Sequence, residues 1–127
     1  MPETLPSWTA HLPRWIPQSL SDLHGPREGA VDLPLDLCWS GRTRYDVGRF
    51  PQRVALYELV IVQGLQKHYS EFLDGDYLVE AWPLLHRRLG DAYVEAWEGR
   101  FPELARAGAS AEAFEEAFEL WKRSPWG

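Results

Sequence analysis

The residues with the most chemical potential lie between Arg42 and Glu58. Four arginines, Arg42, Arg44, Arg49 and Arg53, stand close together, offset within that span only by Asp46. A single carboxylate, Glu58, then interrupts an otherwise apolar run from Val54 to Val62. An ionised carboxylate in apolar surroundings costs several kcal/mol unless it is paired. The spacing therefore predicts a structural lock in which Glu58 meets Arg49 and Arg53 and ties the preceding segment to a helix. The same residues also compose an acid beside an anion-binding cluster, the makings of a small-molecule site.

Three weaker constellations accompany this one. His68, Glu71 and Asp74 recur every three positions on a helical pattern, but a metal needs converging ligands with a fixed outer shell, and no second His lies at helical spacing. A solvated face and no metal are expected there. Asp74 and Asp76 flank Gly75 as turn and cap chemistry, with Asp76 the expected N-cap. Cys38 becomes a nucleophile only where a helix end or a cation lowers its pKa, and in an apolar strand it reads as a small core residue. The chain contains no phosphate-binding glycine loop, dinucleotide glycine pattern, H-E-x-x-H, C-x-x-C or G-x-S-x-G. No catalytic residue, cofactor or metal is assigned.

The elements that must hold these residues follow from the punctuation. Six of the ten prolines fall in residues 1–34, which excludes long helices and predicts an extended arm. Trp8, Leu12, Trp15, Ile16, Leu20 and Leu23 give that arm apolar material, either to wrap its own domain or to reach a partner. Residues 30–39 and 42–47 read as short strands around a Ser40-Gly41 turn, with Leu35, Leu37 and Trp39 on one face. Pro51 opens a helix that Gly64 closes, and its apolar circumference predicts a central element buried on every side. Further helices follow over 65–73, from Asp76 past Pro83 with a break near Gly90, and from an N-cap at Ser110. In the last, Phe114, Phe118 and Trp121 form the stripe expected to face inward, leaving Glu112, Glu115, Glu116 and Glu119 outward.

Composition narrows the classes. A chain of 127 residues with 45% apolar and 25% charged residues suits one soluble domain. Seven Trp are more than usual for this length, and aromatic residues either stabilise a small core or anchor an interface. Residues 1–53 balance six Lys/Arg against six Asp/Glu, whereas residues 54–127 hold seven against thirteen, so the whole net of −6 sits in the second part. That field repels phosphate backbones and attracts a basic protein. The first residues lack a secretory pattern, no run is long enough to span a membrane, and a single Cys suits a reducing compartment; a cytoplasmic location is expected.

Three segments, "VDLPLDLCWSGRTRYDVGRFPQRVALYELVI", "EFLDGDYLVEAWPLL" and "VEAWEGRFPELA", together resemble a family of small actinobacterial proteins. That pattern runs strand–W-S-G–Y-D-L, then an L-Y-x-x-V helix, a Y-L-D helix, an L-W helix, and a closing W-x-x-R-F-P-x-L. It is carried here by Trp39, Ser40, Gly41, Tyr45, Asp46, Leu56, Tyr57, Val60, Phe72, Leu73, Asp74, Trp82, Trp97, Arg100, Phe101, Pro102 and Leu104, over roughly residues 31–105. The chain departs from it at residues 65–73 and after residue 106. The resemblance implies a partner gene beside nucleotidyltransferase-like toxins of the abortive-infection type, and hence an antitoxin or defence-type regulator.

Taken together, the sequence predicts a mostly α, single-domain helical bundle, with a Pro/Trp-rich arm over 1–34 and a helical domain over 35–127 that opens with a small β-hairpin. The leading function is a non-enzymatic protein-interaction subunit, an antitoxin or regulator that occludes a basic cleft of its cognate protein. Trp8, Trp15, Arg42, Arg44, Glu112, Glu115, Glu116 and Glu119 are its candidate contacts, and a homo-oligomer is compatible with them. Two other readings use the same material: a small-molecule module or minor enzyme built on Glu58 and the Arg42–Arg53 cluster, and a DNA-binding autoregulator built on those arginines.

Overall fold

The computed structural model describes residues 15–34, 43–64 and 66–123. Trp8, Arg42, Cys38, Trp39 and the Ser40-Gly41 turn lie outside them. Six α-helices and a two-stranded antiparallel sheet make up the described body, so the chain is a mostly α single domain with a small sheet. Strand β1 is Ala30–Asp32 and strand β2 is Arg44–Asp46, with Val31 opposite Tyr45. Both of those side chains point into the core while their neighbours face out, the alternation that sets this register.

Helix α1, Phe50–Gln63, carries Pro51 in its first turn and stops at Gly64. Helix α2 is Gln66–Phe72, α3 is Gly75–Arg88, α4 is Asp91–Arg100, α5 is Pro102–Ala109 and α6 is Ala111–Arg123. Helix α3 continues through Pro83, which is buried there although a proline inside a helix removes one backbone N–H donor. The N-cap of α3 is Asp74 rather than Asp76: its carboxylate accepts from the Tyr77 N–H at 3.0 Å. Ser110 caps α6 as its sequence predicts, accepting from the Ala113 N–H at 3.0 Å.

From Trp15 onward the arm wraps its own domain. Ile16 and Leu23 are buried in the core, and Trp15 packs half-buried against it. The His24 and Gly25 N–H groups donate to Ser70 and Leu73 carbonyls at 2.9 and 2.7 Å. Gly25 is required by this approach, because a Cβ there would stand 2.4 Å from the Phe72 carbonyl. Arg100 fastens the other end by donating to the Ile16 and Pro17 carbonyls. The core itself centres on Trp82, Trp97, Tyr57 and Tyr69, each below 2% exposed. No described helix is long and apolar enough to cross a membrane.

Candidate functional site

Among the described residues, Arg44, Arg49 and Arg53 do not converge on Glu58. Arg53 is buried, donates to the Val47 carbonyl at 2.7 Å and to Glu80 at 2.6 Å, and lies over the Tyr77 ring at 3.8 Å. Arg49 pairs with Asp46 at 3.5 Å, and Arg44 with Asp32 at 3.2 Å across the sheet. Glu58 instead accepts from Arg88 at 2.7 Å. The lock thus exists with a different cation, one from the last turn of α3. Helical phase explains the change: Arg53 turns toward the sheet and α3, whereas Glu58 sits on the face of α1 that meets the end of α3.

That face of α1 also departs from the expectation of burial all round. Ala55, Glu58 and Leu59 are half-exposed, and Val62 is 40% exposed. With Tyr45 and Gln63 they line a groove of about 280 Å³. His68, expected on a solvated face, is buried against Phe72. A helix of seven residues packed between α1 and the arm turns His68, Tyr69 and Phe72 inward together. Among the described residues no three His, Cys, Asp or Glu side chains are placed to hold a metal.

A second ionic cluster crosses the helices. Glu98 of α4 accepts from the Trp82 indole N–H at 2.7 Å and shares a hydrogen with His86 Nδ1 at 2.6 Å. Gly108 of α5 backs onto this group. The N-terminal end of α3 carries another: Arg27 bridges Asp74 and Asp76 at 3.3 Å each, and these carboxylates, Asp76 first, push its guanidinium pKa up from the ordinary value. Each of these groups is matched within the fold and joins one element to the next.

Helix α6 is different. Its buried residue is Ala117, while Phe114 and Trp121 are half-buried and Phe118 is 39% exposed. The stripe expected to face inward is therefore only partly covered. Leu84, Arg87 and Arg88 of α3 complete a groove of about 190 Å³ along Phe114, Phe118 and Trp121. Arg87 stacks over Phe114 at 3.9 Å and Lys122 over Phe118 at 4.9 Å. Behind this aromatic edge, Glu112, Glu115, Glu116 and Glu119 are all exposed. Glu119 pairs with Lys122 at 3.3 Å; among the described residues the other three enter no ion pair.

The structure thus gathers the four glutamates on one face, packs Trp15 half-buried against the core and pairs the exposed Arg44 with Asp32. Arg87 and Arg88, which line the groove, were not singled out by sequence, although their place three and four residues after Leu84 puts them on the same helical edge. Comparison with protein-family models, with curated proteins and with solved structures finds no match.

Proposed function

We propose that the chain is a protein-interaction subunit that presents the outer face of α6 to a basic partner protein. The observation that carries this reading is the exposure, on one helix, of Glu112, Glu115, Glu116 and Glu119. Like charges three or four apart repel by a few tenths of a kcal/mol per pair in an isolated helix. A surface that retains this repulsion speeds encounter with a positively charged patch, and adjacent aromatic residues lengthen the life of the complex. The resemblance of residues 31–105 to partner genes of nucleotidyltransferase-like toxins gives the partner a class, a protein with a basic nucleotide- or RNA-binding cleft. On that reading the subunit acts as an antitoxin or regulator by covering the cleft, and in the cytoplasm.

The small-molecule reading has less support, since Glu58 is matched by Arg88 and Arg44, Arg49 and Arg53 each have other partners. Tagged protein expressed in its native host should co-purify with one basic protein in stoichiometric amount at low salt. Recovery of the chain alone under those conditions would contradict the proposal.

A further inference from the structure

The groove between α3 and α6 is bordered by cations and floored by aromatic rings. Arg87 and Lys122 lie over Phe114 and Phe118, whose rings stack at 5.7 Å with 11° between planes. Arg88, 47% exposed, holds the end of the groove and reaches Glu58. An occupant that fits must therefore carry an apolar stripe with carboxylates beside it.

Helix α6 itself has that composition. At 100° per residue, Glu115 lies about 60° and Glu119 about 100° around α6 from Phe118, and both face away from buried Ala117. A twofold contact needs a surface that contains both halves of its own complement. This one does: the exposed Phe118 ring beside half-buried Phe114 and Trp121, a cationic rim on α3, and an acidic rim on α6.

A stable dimer covers about 800 Å² on each partner, more than one short groove provides. The surface continues, however. The Glu58–Arg88 pair joins this groove to the one lined by Ala55, Leu59 and Val62 on α1. Val62 and Phe118, the exposed large apolar residues of the described chain, lie one on each side of that pair. Helix α6 has thirteen residues and is roughly 20 Å long.

We infer that this surface is a homodimer contact in which α6 of one copy lies along the α3–α6 groove of the other, with Phe118 near the twofold axis and Glu115 and Glu119 facing Arg87 of the second copy. The inference does not depend on the basic partner. Glu112 and Glu116, farthest around α6 from the groove, stay free in such a dimer.

Sedimentation equilibrium of the full chain at physiological salt tests it. The wild-type chain should be a reversible dimer. Phe118→Asp should weaken dimerisation at least roughly tenfold, with the far-ultraviolet circular dichroism unchanged because the side chain is already exposed. Arg87→Glu, and separately Glu115→Lys with Glu119→Lys, should each weaken self-association. An equimolar mixture of these two variants should restore a dimer, since each then meets the opposite charge in the other. A monomeric wild-type chain, a Phe118→Asp chain that stays dimeric, or a mixture no more associated than its two components would overturn the inference. Capture of the basic partner by Arg87→Glu, which leaves the four glutamates and the aromatic rings of α6 intact, separates a failure of this contact from a failure of the partner reading.

Discussion

At the scale of single residues, burial decides which charges matter to stability. Glu58 and Arg88 are both partly solvated, and such pairs contribute up to about 1 kcal/mol. Arg53 is 7% exposed at its side chain and satisfies a backbone carbonyl, a carboxylate and an aromatic face. Urea denaturation should therefore show a loss of no more than about 1 kcal/mol for Glu58→Gln, and about 2–3 kcal/mol for Arg53→Ala, toward the lower end for a broken buried pair because Glu80 can turn to water. Equal losses would mean that Glu58 is more deeply engaged than its exposure shows. The tyrosines offer a second contrast. Burial raises the pKa of both Tyr57 and Tyr69 above the ordinary value near 10. The folded state then favours the neutral phenol, so this contribution is whole below pH about 10 and falls as pH rises beyond it, where the unfolded chain ionises first. Tyr57 accepts from the Asp74 N–H at 2.9 Å, whereas the Tyr69 hydroxyl is buried without a hydrogen-bond partner among the described residues. Tyr69→Phe should leave stability at pH 7 unchanged or raise it by up to about 1 kcal/mol and soften the alkaline loss, while Tyr57→Phe should lower stability by about 1–2 kcal/mol. Chemical denaturation at pH 7 and pH 10.5 (about half a unit above the reference value) reads both.

At the scale of elements, two helical glycines separate propensity from packing. Gly99 in α4 has open space where a Cβ would go, so Gly99→Ala should stabilise by up to about 1 kcal/mol through helix propensity. A Cβ on Gly108 would stand 2.5 Å from Glu98 Oε2 and 2.6 Å from His86 Nδ1. That carboxylate cannot swing away cheaply, because Trp82 and His86 hold it. Gly108→Ala should therefore destabilise by about 1–2 kcal/mol despite the better helix former, with a changed Trp82 environment in near-ultraviolet circular dichroism. A stabilised Gly108→Ala would mean that α5 is free to shift off α3. The boundaries of α1 and α6 were legible because they rest on local chemistry: Pro51 and Gly64 for one, Ser110 for the other. The faces were harder to read. An apolar circumference on α1 does not say which side meets other elements, and the side bearing Leu59 and Val62 was left open. Likewise the cap of α3 fell to Asp74 because the arm holds that residue through its bridge with His24, a long-range constraint that no local pattern records.

At the scale of the whole molecule, the chain separates its charge. Arg44, Arg49 and Arg53 of the first part are each paired within the fold, Arg53 buried and the other two at the surface, while Glu112, Glu115 and Glu116 of α6 enter no ion pair among the described residues. The balance of six against six before residue 54 and seven against thirteen after it made that acidic half visible before any coordinates. The arm was legible only as a choice. Its prolines excluded long helices, but its docking depends on Arg100, Ser70 and Leu73, distant in the chain. The partner of Glu58 was lost for the same reason, since Arg88 lies thirty residues away. The central claim is that the outer face of α6 attracts a basic partner. Replacing Glu112, Glu115, Glu116 and Glu119 with Gln preserves shape and helix propensity and removes four charges. The most direct measurement is the association rate of wild-type and Gln-substituted chains with the protein captured at low salt, followed across a salt series. The Gln variant should associate several-fold more slowly at low salt, and the difference should fade once the screening length drops below about 8 Å. Equal association rates at low salt would contradict the claim and leave the four glutamates merely solvated.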